Sequence, residues 1–453
     1  MRYSFSDPGT RFRRRSGTVT VALVGLVLVG TLTACSSTKA QPAATPSGGT
    51  PGGTPGGTPD GTSGVPATAF SDTTGLTPTS VTVGNVSTLA FGLFKGANIG
   101  TQAWASYVNS TGGINGRKIL VDSYDDGYQG APNKQATEQV AQKDFAAVGG
   151  FSLEDTFGAT VLAANPGVPN VTVSLSQVAG DLPNSFSPDP AAIGWPTGPL
   201  QYFKQKFPSD VQHAGALVAN QPSAIMKWGG EKAAMSSIGY NVVYDQQFGI
   251  TQTDFNQNVV AMRNAGVKIL FLEQMPENYA ASVIKALNQQ DFHPHLVFGA
   301  STYSEQLVPD SGGASAVNGA YMEMVNSLFL GEDVSQLPAA KTFQTWIQKV
   351  SPGFKPDLYT LFGWLSGQHF TQALQAAGPH ATRGSVLQQL KKITNFNGNY
   401  LIASSNPAQK LPAYCYVIAQ IKNGVIQRLD DPPINGPQHG YRCDGKFRYY
   451  PPK

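Results

Sequence analysis

The chain has 453 residues, with 31 Lys and Arg against 28 Asp and Glu, and three Cys. Only 13% of the residues are charged and 41% are apolar, with 23 Phe and 17 Tyr, which excludes a highly charged disordered chain. No Lys/Arg block stands in the body of the chain, so a basic nucleic-acid binder is excluded too.

Arg11, Arg13, Arg14 and Arg15 form a positive segment ahead of an apolar stretch from Val19 to Leu32. That stretch falls short of the ~20 apolar residues that span a bilayer and reads as the core of a secretory signal. It ends in Leu32-Thr33-Ala34-Cys35, which resembles the lipobox of bacterial lipoproteins, where the Cys is lipid-modified and becomes the new N-terminus. The alternatives are an ordinary signal peptide with a chance Cys, or an uncleaved anchor. Residues 1–34 are therefore expected to be a signal peptide and Cys35 the lipidation site. Their five Arg and one Asp, taken from 31 and 28, leave 26 cations against 27 anions in the mature chain. Residues 35–78 carry the lipidated Cys and a Gly/Thr/Pro tether containing Gly-Gly-Thr-Pro units, with too little apolar surface to repay ordering. Such a chain has an r.m.s. reach of roughly 35 Å. The remaining Cys415 and Cys443 are expected to pair as a disulfide in an exported protein; two free thiols are the alternative.

The folded body runs from residue 79. Val81 to Val86 is predicted as a strand, followed by a loop from Ser87 to Phe94 and a helix over Ile99 to Asn109 that stops at Gly112-Gly113. Lys118 to Tyr124 is a second strand, Ala136 to Lys143 a helix, Ala146 to Gly150 a short strand, and Asn170 to Val173 another. The alternation restarts after Trp195, with helices predicted at Leu200 to Phe207, Lys227 to Ile238, Asp254 to Ala265 and Tyr279 to Gln289. Between them lie strands at His213 to Val218, Asn241 to Tyr244, Lys268 to Leu272 and Leu296 to Phe298. Two successive strand–helix runs imply two parallel sheets, each with its ligand crevice beyond the strand C-termini.

Thr111-Gly112-Gly113-Ile114-Asn115-Gly116-Arg117, Tyr124-Asp125-Asp126 and Pro132-Asn133-Lys134-Gln135-Ala136 together resemble the type I periplasmic solute-binding proteins. The resemblance is to their leucine/isoleucine/valine-binding branch, in lipoprotein form, which feeds ABC importers. Asp254-Phe255 with Val259, Ala265-Gly266-Val267-Lys268-Ile269, and Asn397-Gly398-Asn399-Tyr400 extend it over nearly all of residues 79–453. The resemblance implies an α/β fold of two Rossmann-like lobes with parallel-rich sheets, joined by three crossovers around a ligand cleft. Lobe one is then 79–190 plus 325–398, and lobe two is 195–320 plus 399–453.

It also implies where a solute would sit. The loop after Val148-Gly149-Gly150 meets a ligand carboxylate through hydroxyls and backbone N–H groups at a helix N-terminus. Here Leu153 stands near the usual serine position, with Ser152 beside it, while Glu154 and Asp155 are placed to cap the helix. Ser174, Ser176 and Gln177 form a second ligand loop. From lobe two come Gln221, Ser223, Glu273, Ser301 and Tyr303. Ser301 stands near the position that holds the ligand ammonium with an acid in amino-acid binders, and Glu273 is the candidate to supply that charge from another loop. Phe94, Trp195 and Tyr303 are candidates for stacking, with core packing as the alternative.

No cofactor or metal is expected. His293-Pro294-His295 reads as a turn without a third ligand, Gly363-Trp364-Leu365-Ser366-Gly367 as a packed helix segment, and Asp125-Asp126 as a capping pair. The functional expectation is an extracytoplasmic, lipid-anchored binding subunit of an ABC importer, with a small-molecule solute and a membrane permease as partners and no chemistry of its own. The solute would be a branched-chain amino acid or a related amide or aromatic compound. A ligand sensor that presents its closed form to a signalling receptor is the alternative; a cell-wall enzyme on the same scaffold lacks a catalytic constellation.

Overall fold

The computed structural model describes residues 64–191 and 193–450. The signal, Cys35 and the tether through residue 63 lie outside the described residues.

In lobe one, β1 (Ser80–Ser87) pairs in parallel with β2 (Lys118–Asp125) and with β3 (Ala146–Val148), which pairs with β4 (Asn170–Val171). The order is β2-β1-β3-β4. Val81 and Val83 of the central β1 are buried, whereas β2 turns Ile119 inward and leaves Leu120 exposed, as an edge strand does. Helices α1 (Lys95–Ser110), α2 (Gly130–Lys143) and α3 (Asp155–Ala164) connect these strands, and the short α4 (Gln177–Gly180) follows β4. Helix α2 begins six residues before its predicted start. Pro132 falls in its first turn, where the missing N–H costs no helical bond.

The chain then crosses over through β5 (Gly194–Pro196) and α5 (Thr197–Lys206). Lobe two follows as β6 (Ala214–Ala219), α6 (Pro222–Ser237), β7 (Val242–Phe248), α7 (Asn256–Asn264), β8 (Ile269–Leu272), α8 (Glu277–Gln289), β9 (His295–Phe298) and, after two single-turn helices, β10 (Tyr321–Met324). Helix α6 starts at Pro222 rather than Lys227, because Pro is well suited to a first helical position. Strands β6 and β8 are buried along their whole length, since helices cover both faces. The sheet order is β12-β11-β10-β9-β8-β6-β7, with β11 (Val417–Lys422) and β12 (Val425–Arg428) added antiparallel at the end of the chain.

Between β10 and β11 the chain returns to lobe one as α9 (Pro338–Val350), α10 (Leu358–Ala377) and α11 (Arg383–Leu390). Helix α10 crosses α1 at backbone distance: a Cβ on Gly100 would fall 2.0 Å from the Thr360 carbonyl, and one on Gly363 2.0 Å from that of Ala97. The segment around Gly363 is thus a packed helix of lobe one.

The crossovers are stitched to one another. Ser405 Oγ donates to the Pro188 carbonyl (2.6 Å), Ala413 N to Asp189 Oδ1 (2.9 Å), and Ala403 N to the Val325 carbonyl (2.7 Å). Asn397 to Tyr400 lies in the last of them, with Asn399 and Tyr400 in left-handed backbone. A final strand, β13 (Phe447–Tyr449), pairs with β5, and the Cys415–Cys443 disulfide, with Cα atoms 4.4 Å apart, ties the terminal segment to the start of β11. Closing a loop of this size contributes about 3 kcal/mol in the chain-entropy model.

Candidate functional site

The C-terminal ends of β1, β3 and β4 form the lobe-one wall. Gly149 makes the turn out of β3 at φ 70°, and a Cβ there would collide with Thr101 Oγ1. The next loop is organised by Ser152, which is buried. Its hydroxyl donates to the Asp126 carboxylate and accepts from Asn133 Nδ2 and from the Glu154 N–H, both at 2.9 Å. Leu153 N donates to Thr88 Oγ1 at 3.2 Å. Ser152 therefore spends its hydrogen bonds on holding its own loop.

The expectation that Glu154 and Asp155 cap α3 is corrected. Glu154 stands at the cap position without a side-chain bond, while the Asp155 carboxylate reaches the neighbouring loop and accepts from Leu175 N (2.7 Å) and Ser176 N (3.0 Å). Both carboxyls are raised above their ordinary values by burial, Glu154 further by the charges of Asp126 and Asp155. Ser176 caps α4, accepting from Ala179 N at 3.2 Å, and Gln177 donates to Asp181 at 2.5 Å while its Oε1 is buried without a partner. Ser174 is buried and its hydroxyl has no hydrogen-bond partner among the described residues; it lines a cavity of about 50 Å³ with Asn133, Ser152 and Asp155. Phe94 sits in an aromatic cluster, 4.7 Å from both Phe151 and Tyr359 by ring centroid.

The lobe-two wall is made by the ends of β6, β8 and β9. Gln221 precedes α6 and its amide donates to the Tyr128 hydroxyl of lobe one at 3.3 Å. Ser223 is half-buried in the first turn of α6. Glu273 follows β8 and is 6% exposed, with Oε1 unpartnered among the described residues. The Ser301 hydroxyl lies 3.1 Å from the carbonyls of both Glu273 and Met275, so it ties two loops together. Tyr303 is only 1% exposed; its hydroxyl accepts from Leu330 N and its ring meets Phe329 edge-on at 5.1 Å. Phe329 packs on Phe343, and Phe343 on Trp364 of α10, so Tyr303 is the lobe-two end of an aromatic chain running into lobe one. Trp195 lies in β5, partly buried, with its indole N–H lacking a completed hydrogen bond.

The walls also meet through an ion pair, Glu305 of lobe two with Lys355 of lobe one at 2.6 Å. The two His of the His-Pro-His turn go separate ways: His293 pairs with Asp291 and His295 with Asp210. Sequence reasoning missed Asn133 and Tyr128 as parts of the site, and it missed Glu231 and Glu323, which lie buried beside Glu273. A Glu inside an apolar strand or helix face was the available signal for the last two. Asp125 and Asp126 do cap their turn, accepting from Gly127 N and Tyr128 N, and Asp126 also anchors Ser152.

Comparison with known proteins bears on what such a cleft does. A family model described as periplasmic binding protein matches residues 81–425. An amino acid binding protein of Pseudomonas aeruginosa is 23% identical over 299 residues, covering 62% of this chain and 75% of its own length. Leu/Ile/Val-binding protein homolog 1 of Brucella abortus is 25% identical over 288 residues, covering 62% of this chain and 73% of its own. Among solved structures, a Streptococcus pneumoniae branched-chain amino acid transporter substrate-binding protein in complex with isoleucine superposes with a TM-score of 0.61 at 16% identity, covering 77% of this chain and 98% of that one. A fatty acid ABC transporter substrate-binding protein from Thermomonospora curvata superposes with a TM-score of 0.64 at 17% identity, covering 79% and 94%. With more than half of its length matched by the family model and the same two-lobed architecture, this chain belongs to the periplasmic binding protein family.

Proposed function

We propose that this protein is the lipid-anchored, extracytoplasmic substrate-binding subunit of an ABC importer, which captures one small solute by closing its lobes and hands it to a membrane permease. The family is one of solute-binding proteins rather than enzymes, and its place is outside the cytoplasm. Cys35 anchors the chain, residues 35–78 tether it, and the body divides into lobe one (79–190 and 325–398) and lobe two (195–320 and 399–453).

The observation that carries the reading is the arrangement of strand ends. The loops after β1, β3 and β4 face those after β6, β8 and β9, with bonded crossovers behind them and the Gln221–Tyr128 and Glu305–Lys355 contacts across the front. A solute that touches both walls stabilises the closed form only through contacts absent from the open one. Ser174, Gln177, Gln221, Ser223 and Glu273 are the solute contacts in this reading, while Ser152, Ser301 and Tyr303 set the shape of the loops. The solute is a branched-chain amino acid or a related amide or aromatic compound. Fatty acids belong in the test panel because a structural relative is titled for one.

The test is a thermal-shift screen of the exported protein against amino acids, amides, aromatic acids and fatty acids. A solute at 100 times its Kd adds about 2.7 kcal/mol to stability by mass action, and the unfolding midpoint should rise by a few degrees for one chemical class. Turnover of the bound compound, or a flat response across the whole panel, would sink the proposal.

A further inference from the structure

Lobe two carries a cluster of acids that the loops described so far leave unexplained. Phe271 of β8 points toward α5 and α6, where its ring meets Phe203 and Tyr240, and Tyr321 of β10 meets Phe203 on the same side. Side chains two residues apart share a face of a strand. Glu273 and Glu323 therefore leave the sheet on that side, and Glu231 of α6 comes to meet them. Glu231 is 0% exposed and Glu273 and Glu323 are each 6% exposed. Among the described residues, both Glu231 oxygens, Glu273 Oε1 and Glu323 Oε2 are buried with no hydrogen-bond partner.

The groups around the cluster do not neutralise it. Lys227, one turn before Glu231, is held by the charge of Asp189 in the first crossover. The Tyr240 phenol is pushed up by burial and by Glu323 and Glu231, and its hydroxyl donates to the Leu200 carbonyl. From β5, the Trp195 indole favours ionised Glu323, but its N–H completes no bond. Beyond β9, Gly299 leaves the room that Glu273 uses: a Cβ there would stand 2.6 Å from Glu273 Oε2.

Unpaired carboxylates in such a place take up protons rather than stay charged. Burial pushes Glu323 up to about 8, and Glu231 and Glu273 well above their ordinary value, each further by the negative charge of its neighbours. The cluster lies at the cleft end of lobe two. Glu273 directly follows β8, its carbonyl is held by Ser301, and the turn Ala300–Thr302 containing Ser301 packs on α10 of lobe one.

We propose that Glu231, Glu273 and Glu323 form a proton-loaded receptor for the cationic end of the captured solute, so that capture of an ammonium or amidinium group expels a proton. This rests on the solute-capture reading above. The exchange balances in charge: the cation enters, one carboxylic acid becomes carboxylate, and its proton passes to solvent. Capture then tightens as pH rises toward 8 and loosens in acid, by up to about tenfold per pH unit for one proton released.

The test is isothermal titration calorimetry of the exported protein with putrescine, L-arginine, L-leucine, acetamide and palmitate. Titrations at pH 6.0 and 7.5, in buffers of different ionisation enthalpy, read the proton count directly. An amine-bearing solute is expected to bind with net release approaching one proton, about tenfold or more tighter at pH 7.5. Glu273→Gln should weaken binding at least tenfold and remove most of the pH dependence, with its circular dichroism unchanged. Wild-type binding without proton exchange overturns the inference whether or not the variant folds, and so does binding of only acetamide or palmitate; either leaves capture by lobe closure standing. No binding by any of the five overturns both.

Discussion

Single side chains in the two walls divide into those that hold loops and those left with unused capacity. Ser152 serves Asp126, Asn133 and the Glu154 N–H at once, whereas the equally buried Ser174 hydroxyl has no partner among the described residues. Removing one partner so that a buried donor is left unsatisfied costs about 1–3 kcal/mol, while losing an unpaired hydroxyl is nearly neutral. Ser152→Ala should therefore lower the urea midpoint clearly and Ser174→Ala scarcely at all. If solute contact is the role of Ser174, its substitution should weaken binding instead. Equal midpoints for both variants would show that Ser152 does not organise its loop. The serine positions were legible in the sequence, but their division of labour was not. It depends on Asp126 and Asn133, which stand 26 and 19 residues away from Ser152.

Elements with a local signature were readable, and those defined by distant partners were less so. The strand–helix alternation up to β9 follows from β-branched runs and helix punctuation, and boundaries moved only where Pro132 and Pro222 entered first turns. The β11–β12 hairpin was missed although Asn423-Gly424 carries its signal. Both residues have positive φ, as the tight turn demands. The N-terminal elements carry their own prediction. If Leu32-Thr33-Ala34-Cys35 is a lipobox, Cys35→Ala should move the protein from the membrane fraction to the soluble fraction after export. Retention on the membrane with the signal cleaved would defeat the anchor, since among the described residues no helix is long and apolar enough to cross a bilayer.

Across the whole molecule, buried ionisable groups couple stability to pH. Burial raises Asp144 and Asp189 to about 6, Glu277 and Asp431 to about 7, and Glu323 to about 8. The folded chain keeps these protons where the unfolded chain has released them, so their stabilisation is lost as pH rises from about 4.5 to about 8. His369 of α10 acts in the opposite sense. It is fully buried against Phe396, and burial lowers its pKa from 6.5 to about 3, so the unfolded chain gains protons, and stability falls, as pH drops below 6.5. Between pH 6.5 and 8 the carboxyls act alone. The unfolding midpoint of the solute-free protein should fall across that interval, and Glu323→Gln should flatten the decline. A midpoint that holds or rises from pH 6.5 to 8 would contradict the protonated cluster.

By itself the sequence determined the division into signal, tether and body, the order of strands and helices, the pairing of Cys415 with Cys443, and the two-lobed family fold. All of these follow from composition, period or spacing along the chain, or from motif order, which a linear text carries in full. Only the tertiary structure decided that Tyr303 is part of an aromatic bridge between lobes, that Asp155 clasps the next loop, and that Glu231, Glu273 and Glu323 share one buried space. Those three acids come from a helix and the ends of two different strands. Their meeting, and the desolvation that loads them with protons, exists only once α6 has packed on the sheet.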